Sequence, residues 1–115
     1  MQKAKVMQLF RLFACTEDIR PWEDLADAAI CSVNAQMKPG ADPDDVRLCW
    51  YAAALANLQY RRMIAANAAT PTYAGTAGSQ RCAEGECALA ERFAAAYRND
   101  AADLLKDEAF VFQRV

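Results

Sequence analysis

The chain has 115 residues, which is the size of one domain (residues 1–115) with one modest hydrophobic core. Its net charge is −2. It contains no histidine, which excludes Ser-His-Asp and Cys-His catalysis and most zinc enzymes. With only 4 glycines and 4 prolines it lacks the turn residues of a sandwich of many short strands. We therefore expect a helical protein that is not an enzyme and holds no cofactor or metal.

Residues 3–14 have the pattern of a short amphipathic helix. Apolar side chains recur at the i, i+3, i+4, i+7 spacing of one helix face, at Val6, Leu9, Phe10 and Phe13. Lys3 and Lys5 precede this run and Cys15 follows it, a loose likeness to a lipoprotein signal. Gln8 and Arg11 interrupt the run, so we interpret it as a first helix and not as a signal peptide.

A second helix is predicted after residues 16–18, with Pro21 in its first turn. Glu23 and Asp24 place negative charge near its N-terminus, as the helix dipole favours. Its apolar stripe comprises Trp22, Leu25, Ala26, Ala29, Ile30, Val33 and Met37. The segment Lys38-Pro39-Gly40 then ends the helix with a cation, a helix breaker and a flexible residue.

The third helix has the clearest start, with Asp42 as N-cap, Pro43 in the first helical position and Asp45 at N3. It runs to about Asn67, or about 37 Å. Apolar residues cover most of its circumference, and a polar strip is confined to Arg47, Asn57 and Arg61. A helix of this kind is buried by more than one neighbour, so we interpret it as the central helix.

Residues 68–81 show no periodic spacing of apolar residues and contain two glycines, which predicts a long loop. A fourth helix follows from Cys82 to Lys106. Its apolar stripe comprises Leu89, Phe93, Tyr97, Ala101 and Leu104. Beyond it, Phe110, Phe112 and Val115 alternate, which predicts an extended C-terminal tail that docks on this core or on a neighbour. The expected fold is an all-α, compact bundle of about four helices with a long buried central helix.

The remaining candidate groups favour packing over chemistry. The five cysteines are an odd number, and three lie in alanine-rich helical patterns, so free thiols in a reducing cytoplasm are the simpler interpretation. The pair Cys82 and Cys87 lacks a second pair to complete a metal site. Clustered carboxylates lie at helix ends or on polar faces, where capping explains them. The aromatic residues at helical spacing are predicted core residues, with interface anchors as the alternative.

Five segments follow one another along the chain: VMQLFRLFACTED, WEDLADAAICSVNAQMKPG, DPDDVRLCWYAAALANLQYRRM, a Thr/Gly-rich segment, and AERFAAAYRNDAADLLKDEAFVFQRV. This set resembles the small head–tail connector (head-completion adaptor) proteins of long-tailed bacteriophages and prophages, over nearly the whole chain. The most telling pieces are K-P-G-x-D-P-x-D at residues 38–45 and L-L-x-D-E-x-F-x-F-x-R-V at residues 104–115.

The resemblance implies an all-α protomer, made in the bacterial cytoplasm, that forms a ring of about a dozen copies in the virion neck. Such a ring lies beneath the portal protein, extends the DNA channel with at most passive DNA contact, and binds the next neck or tail-completion protein. No membrane contact is expected. A ring needs two different complementary patches on each protomer, and the loop and the tail are the natural candidates. The candidate interface residues are Tyr73, Arg81, Phe110, Phe112, Arg114 and Val115.

A DNA-binding regulator is the alternative from another functional class. It would use the 43–67 helix, with Arg61 and Arg62 contacting phosphates. Against it, the chain has neither a basic stripe nor a basic tail. We interpret the two arginines as part of a solvated or ion-paired face.

Overall fold

The computed structural model describes residues 1–68 and 76–106, with side chains described over 1–66 and 85–106. Four helices run in chain order: α1 (Lys3–Ala14), α2 (Glu23–Gln36), α3 (Val46–Ala68) and α4 (Thr76–Asp100). Short 3₁₀ helices at Arg20–Trp22 and Ala102–Leu104 precede α2 and follow α4. The predicted all-α bundle of about four helices is confirmed.

Helix α3 is the central helix, as predicted, since α1, α2 and α4 all pack against it. Its fully or almost fully buried residues include Leu48, Ala52, Ala53, Ala54 and Ala56. The apolar residues Val46 and Met63 are more than two-fifths exposed toward the two ends of the helix. Neighbouring helices therefore cover the middle of α3 more completely than its ends.

The predicted start of the third helix was wrong by one turn. Asp42 does not cap α3: its Oδ1 accepts a hydrogen bond from the Asp44 backbone N–H (2.9 Å), which closes a separate turn. Asp45 takes the capping role, because its Oδ1 accepts from the Arg47 backbone N–H (2.9 Å) at the second helical position. Two acidic residues three apart both suit an N-cap, and local sequence does not discriminate between them.

The predicted loop at 68–81 was wrong over residues 76–81, which form the start of α4 and include Arg81. Glycine inside a helix costs about 1 kcal/mol relative to alanine, which disfavours a helix without preventing one. The other end of α4 was also wrong. The helix stops at Asp100 and not at Lys106, because Ala102–Leu104 tighten into a 3₁₀ helix.

A junction between α2, α3 and α4 closes the bundle at one end. The Lys38 N–H donates to the Leu104 carbonyl (2.9 Å), and the Lys106 N–H donates to the Gln36 carbonyl (2.8 Å). Met37 and Leu105 thereby form an isolated antiparallel bridge. We call residues 36–38, 45–47 and 103–106 the closing junction. Its main-chain pairing fixes the end of α4 beside the end of α2.

Arg47 supplies the ionic part of the closing junction. Its guanidinium pairs with Asp45 (3.2 Å) and Asp103 (2.8 Å) and donates to the Asp100 carbonyl (3.2 Å). Hydrogen bonds from the Arg47 side chain and backbone hold the pKa of Asp45 below its ordinary value of 3.8. The same contacts, first with Asp45 and then with Asp103, raise the pKa of Arg47. The ion pairs therefore favour the charged form of both groups.

Replacing Asp45 by asparagine tests this ionic contact without removing the cap, since asparagine is an equally good N-cap. A carboxylate with a depressed folded-state pKa stabilises above its unfolded value, and that stabilisation is lost as the pH falls through the folded value. We expect D45N to unfold at lower urea concentration than the parent at pH 7, with the gap narrowing below pH 3.8. The exposed Glu17→Gln is the control. A gap of equal size at pH 7 and at acid pH would contradict this assignment.

Candidate functional site

None of the interface side chains predicted from the sequence lies in the part of the chain whose side chains are described. Tyr73 lies outside the described residues, and so do Phe110, Phe112, Arg114 and Val115. Arg81 lies in α4, but side chains of α4 are described only from Gly85 onward. Their role in an interface stays a prediction. The described residues instead form a different surface, along the contact of α4 with α1 and α3.

Four aromatic rings form the middle of this surface. The Phe13 ring of α1 lies 5.2 Å from Phe93 and 5.7 Å from both Trp50 and Tyr97, measured between ring centroids. Trp50 of α3 stacks on Tyr97 of α4 at 5.5 Å. Phe93 and Tyr97, one turn apart on α4, share a face and lie 5.3 Å apart. We call these four residues the aromatic cluster; it joins three helices while Phe93 remains 45% exposed.

A small cleft opens beside the aromatic cluster, between α4 and the adjoining parts of α1 and α3. We call it the α3–α4 cleft. It is lined by Phe13, Asn57, Arg61, Glu86, Leu89, Ala90 and Phe93, and its volume is about 160 Å³. This volume is well above the roughly 10–15 Å³ that one water needs, so the cleft has room for an inserted side chain. Leu89 on the rim is 64% exposed, so a large apolar side chain faces solvent here.

Arg61 of α3 lines the cleft with a polar side chain and also contacts the C-terminal end of α1. Its guanidinium donates to the carbonyls of Phe13 and Ala14 (3.2 Å each) and to the Glu86 carboxylate (3.3 Å). The last carbonyls of a helix have no partner within the helix, and a cation there also suits the helix dipole. Arg61 therefore caps α1 and links it to α4.

Asn57 is the polar residue of the cleft that lacks a complete set of partners. It is 4% exposed, and its Oδ1 accepts no hydrogen bond from the described residues. An unsatisfied buried polar atom costs about 1–3 kcal/mol. The sequence placed Asn57 in the polar strip of α3, but the structure turns that strip toward α1 and α4. The four-residue spacing of Asn57 and Arg61, which puts them on one helix face, was the available signal.

A second cleft lies on the other side of the aromatic cluster, next to the closing junction. It is lined by Val46, Arg47, Trp50, Tyr97 and Asp100 and has a volume of about 290 Å³. Trp50 and Tyr97 line this cleft, whereas Phe13 and Phe93 line the α3–α4 cleft. One partly apolar surface therefore extends along α4 from the closing junction to Leu89.

The chemistry of this surface suits binding. Among the described residues, no group of three or more histidine, cysteine or acidic side chains is arranged to hold a metal ion. The described cysteines, Cys15, Cys31, Cys49 and Cys87, are free thiols. Within the same ranges, no helix combines the length and apolar character needed to cross a lipid bilayer. The surface offers exposed apolar side chains beside the half-exposed Glu86 carboxylate, which Arg61 contacts, and beside the buried amide of Asn57.

Replacing Asn57 by leucine removes the unpartnered oxygen and keeps four side-chain heavy atoms with the same branching at Cγ. We expect the free energy of unfolding of the isolated chain to rise by about 1 kcal/mol, because an unpaired buried acceptor is removed. Urea denaturation followed by circular dichroism measures this change, with Gln59→Leu, an exposed position on the same helix, as the control. Destabilisation of N57L by a similar amount would show that the amide is satisfied in the folded protein.

Comparison of the chain with protein-family models, with curated proteins and with solved structures gives no match.

Proposed function

We propose that this chain is a structural neck protein of a bacteriophage or prophage, which forms a ring beneath the portal and joins the capsid to the tail. The supporting observation is where the two segments that carry the sequence resemblance lie. Residues 38–45 and the start of residues 104–115 meet in the closing junction, where the Lys38 N–H donates to the Leu104 carbonyl. Asp45 and Asp103 also share Arg47. The two motifs, distant in sequence, are thus parts of one structural unit.

The surface along α4 supports a role in assembly over one in catalysis. Exposed Leu89 and Phe93 stand beside the buried Asn57, so apolar area and an unused acceptor occur together. Aromatic side chains in partly desolvated clefts are common anchors of protein interfaces. The partners in this proposal are further copies of the chain, the portal protein and the next neck or tail-completion protein.

The arginines of α3 support passive passage of DNA and not tight binding. Arg47, Arg61 and Arg62 pair with Asp103, Glu86 and Glu91 respectively. The predicted ion-paired face is therefore confirmed for Arg61 and Arg62. An arginine engaged with carboxylates must break those contacts to bind phosphate, which weakens the counterion-release gain of DNA binding. The alternative of a regulator that uses the 43–67 helix is less well supported for this reason, and also because neighbouring helices cover the middle of α3.

Association with portal-bearing particles tests the proposal directly. Purified chain is mixed with tailless bacteriophage capsids that carry a portal protein from the same genome as the chain. We expect cosedimentation and a ring of extra density below the portal in electron micrographs, because the connector would add to the portal vertex. Capsids without the portal are the control and should not bind the chain. Failure to associate with portal-bearing capsids at micromolar concentration would refute the proposed function.

A gel-shift assay separates the two functional classes. We expect no retardation of duplex DNA by micromolar protein at low salt, since the arginines of α3 are paired with carboxylates. The half-exposed Arg62→Ala serves as the matched variant. Retardation by the parent chain that R62A loses would favour the regulator over the neck protein.

A further inference from the structure

Two side chains with hydrogen-bond donors, Asn57 and Arg61, line the α3–α4 cleft one turn apart on α3. Asn57 is only 4% exposed, and its side-chain amide makes no hydrogen bond to the described residues. The oxygen is the enclosed end of this amide, so the NH₂ group is the end that stays open to the cleft. Buried polar groups in folded proteins nearly always have a partner, so an unpartnered amide at a cleft calls for a ligand that completes it.

Arg61 adds to this surplus of donors. Its Nη2 donates to the carbonyls of Phe13 and Ala14, and its Nη1 donates to Glu86. A guanidinium carries five N–H groups. These three hydrogen bonds leave the Nε N–H and one Nη1 N–H without an acceptor among the described residues. The α3 side of the cleft therefore needs a hydrogen-bond acceptor.

The charges of the cleft favour a neutral acceptor over an ion. Arg61 and Glu86 pair at 3.3 Å, so the charges of these two lining residues offset one another. The carboxylate of Glu86 is half exposed and repels a ligand carboxylate, whereas Arg61 repels a ligand ammonium. A carbonyl oxygen meets neither repulsion and accepts from the amide of Asn57 and from the guanidinium of Arg61.

The rest of the lining is apolar and sets the size of the ligand. Phe13, Leu89, Ala90 and Phe93 line the cleft, and Leu89 and Phe93 remain 64% and 45% exposed. Pockets that enclose a drug-sized ligand have volumes of roughly 300–1,000 Å³. At about 160 Å³ the α3–α4 cleft takes a smaller group, such as one apolar side chain with its adjoining peptide group.

We propose that the α3–α4 cleft is a peptide-binding pocket, which takes one apolar residue of a partner protein. The side chain of that residue packs against Phe13, Leu89 and Phe93. Its peptide carbonyl accepts hydrogen bonds from Asn57 and Arg61. The pocket goes beyond the neck function and does not depend on it, since it recognises an apolar group beside a neutral carbonyl.

Titration of the isotope-labelled full chain with N-acetyl-leucinamide tests the pocket, because this probe joins one apolar side chain to peptide carbonyls. We expect saturable NMR shifts of the Asn57 side-chain NH₂ and the Leu89 backbone amide, with a millimolar dissociation constant for so small a ligand. The NH₂ signal is assigned by its absence from the spectrum of N57L. Acetyl-glycinamide keeps the carbonyls without the apolar side chain, and we expect it to bind at least tenfold more weakly.

Asn57→Leu separates binding from stability. The substitution is expected to stabilise the chain, yet it should weaken binding of the probe about tenfold because a hydrogen-bond donor is lost. The shift of the Leu89 amide measures the affinity of this variant. If Asn57 only packed, a variant that gained stability would keep its affinity for the probe. Gln59→Leu, at an exposed position on the same helix, should bind like the parent.

Leu89→Asp tests the apolar half of the pocket at an exposed position, where the fold tolerates a charge. We expect its affinity for the probe, measured from the Asn57 NH₂ shift, to fall about tenfold, as loss of a contact anchor does. Leu12→Asp is the matched control, since Leu12 is also 64% exposed but lies outside the cleft, and it should bind like the parent. Circular dichroism melts establish that the variants are folded.

Three results overturn the pocket: no saturable shift up to the solubility limit of the probe, binding by N57L or L89D with the affinity of the parent, or equal binding of acetyl-glycinamide. The titrations involve no capsid. Their failure therefore leaves the neck function intact, and failure of capsid association leaves the pocket intact.

Discussion

The close packing of α3 is the constraint on which the rest of the bundle depends. Ala52, Ala53, Ala54 and Ala56 are almost completely buried, and each has only a Cβ to separate α3 from its neighbours. Interaxial distances between packed helices depend on the side chains at the contact, so small residues allow a close approach. Three helices, α1, α2 and α4, thereby pack against α3. A larger side chain at any of these alanines would push a neighbour outward, as overpacking does in other cores.

Four aromatic side chains lie at the margin of the core, whereas Phe10, Leu48 and Tyr51 are buried within it. Phe13, Trp50, Phe93 and Tyr97 meet along the contact of α1, α3 and α4. Aromatic pairs at such distances stabilise by about 0.5–1.5 kcal/mol beyond their buried area. Because the cluster lies at the edge of the core, it also forms the floor of the two clefts. Packing and surface chemistry thus arise from the same four side chains.

Charged side chains connect neighbouring helices in the described part of the chain. Arg61 caps the carbonyl end of α1, and Arg47 joins the start of α3 to the turn after α4. Lys3 of α1 pairs with both Glu23 and Asp27 of α2, which raises the pKa of the lysine. Exposed ion pairs are individually weak, so their main effect is to fix which helix ends are neighbours. The closing junction, where main-chain hydrogen bonds accompany the Arg47 pairs, is the most complete case.

The sequence by itself determined the helical class, the bounds of α1 and the central position of α3. These features depend on the spacing of apolar residues along the chain, which sets the faces of each helix that become buried. Tertiary structure decided which aspartate caps α3, where α4 begins and ends, and the partners of Arg47 and Arg61. These outcomes depend on groups far away in sequence, such as Asp103 and the carbonyls of Phe13 and Ala14. The same holds for the cleft at Asn57. A polar strip on one helix shows that this face differs from the apolar faces. Only the packing of α1 and α4 against it decides whether its polar atoms are solvated or, like the Asn57 oxygen, buried without a partner.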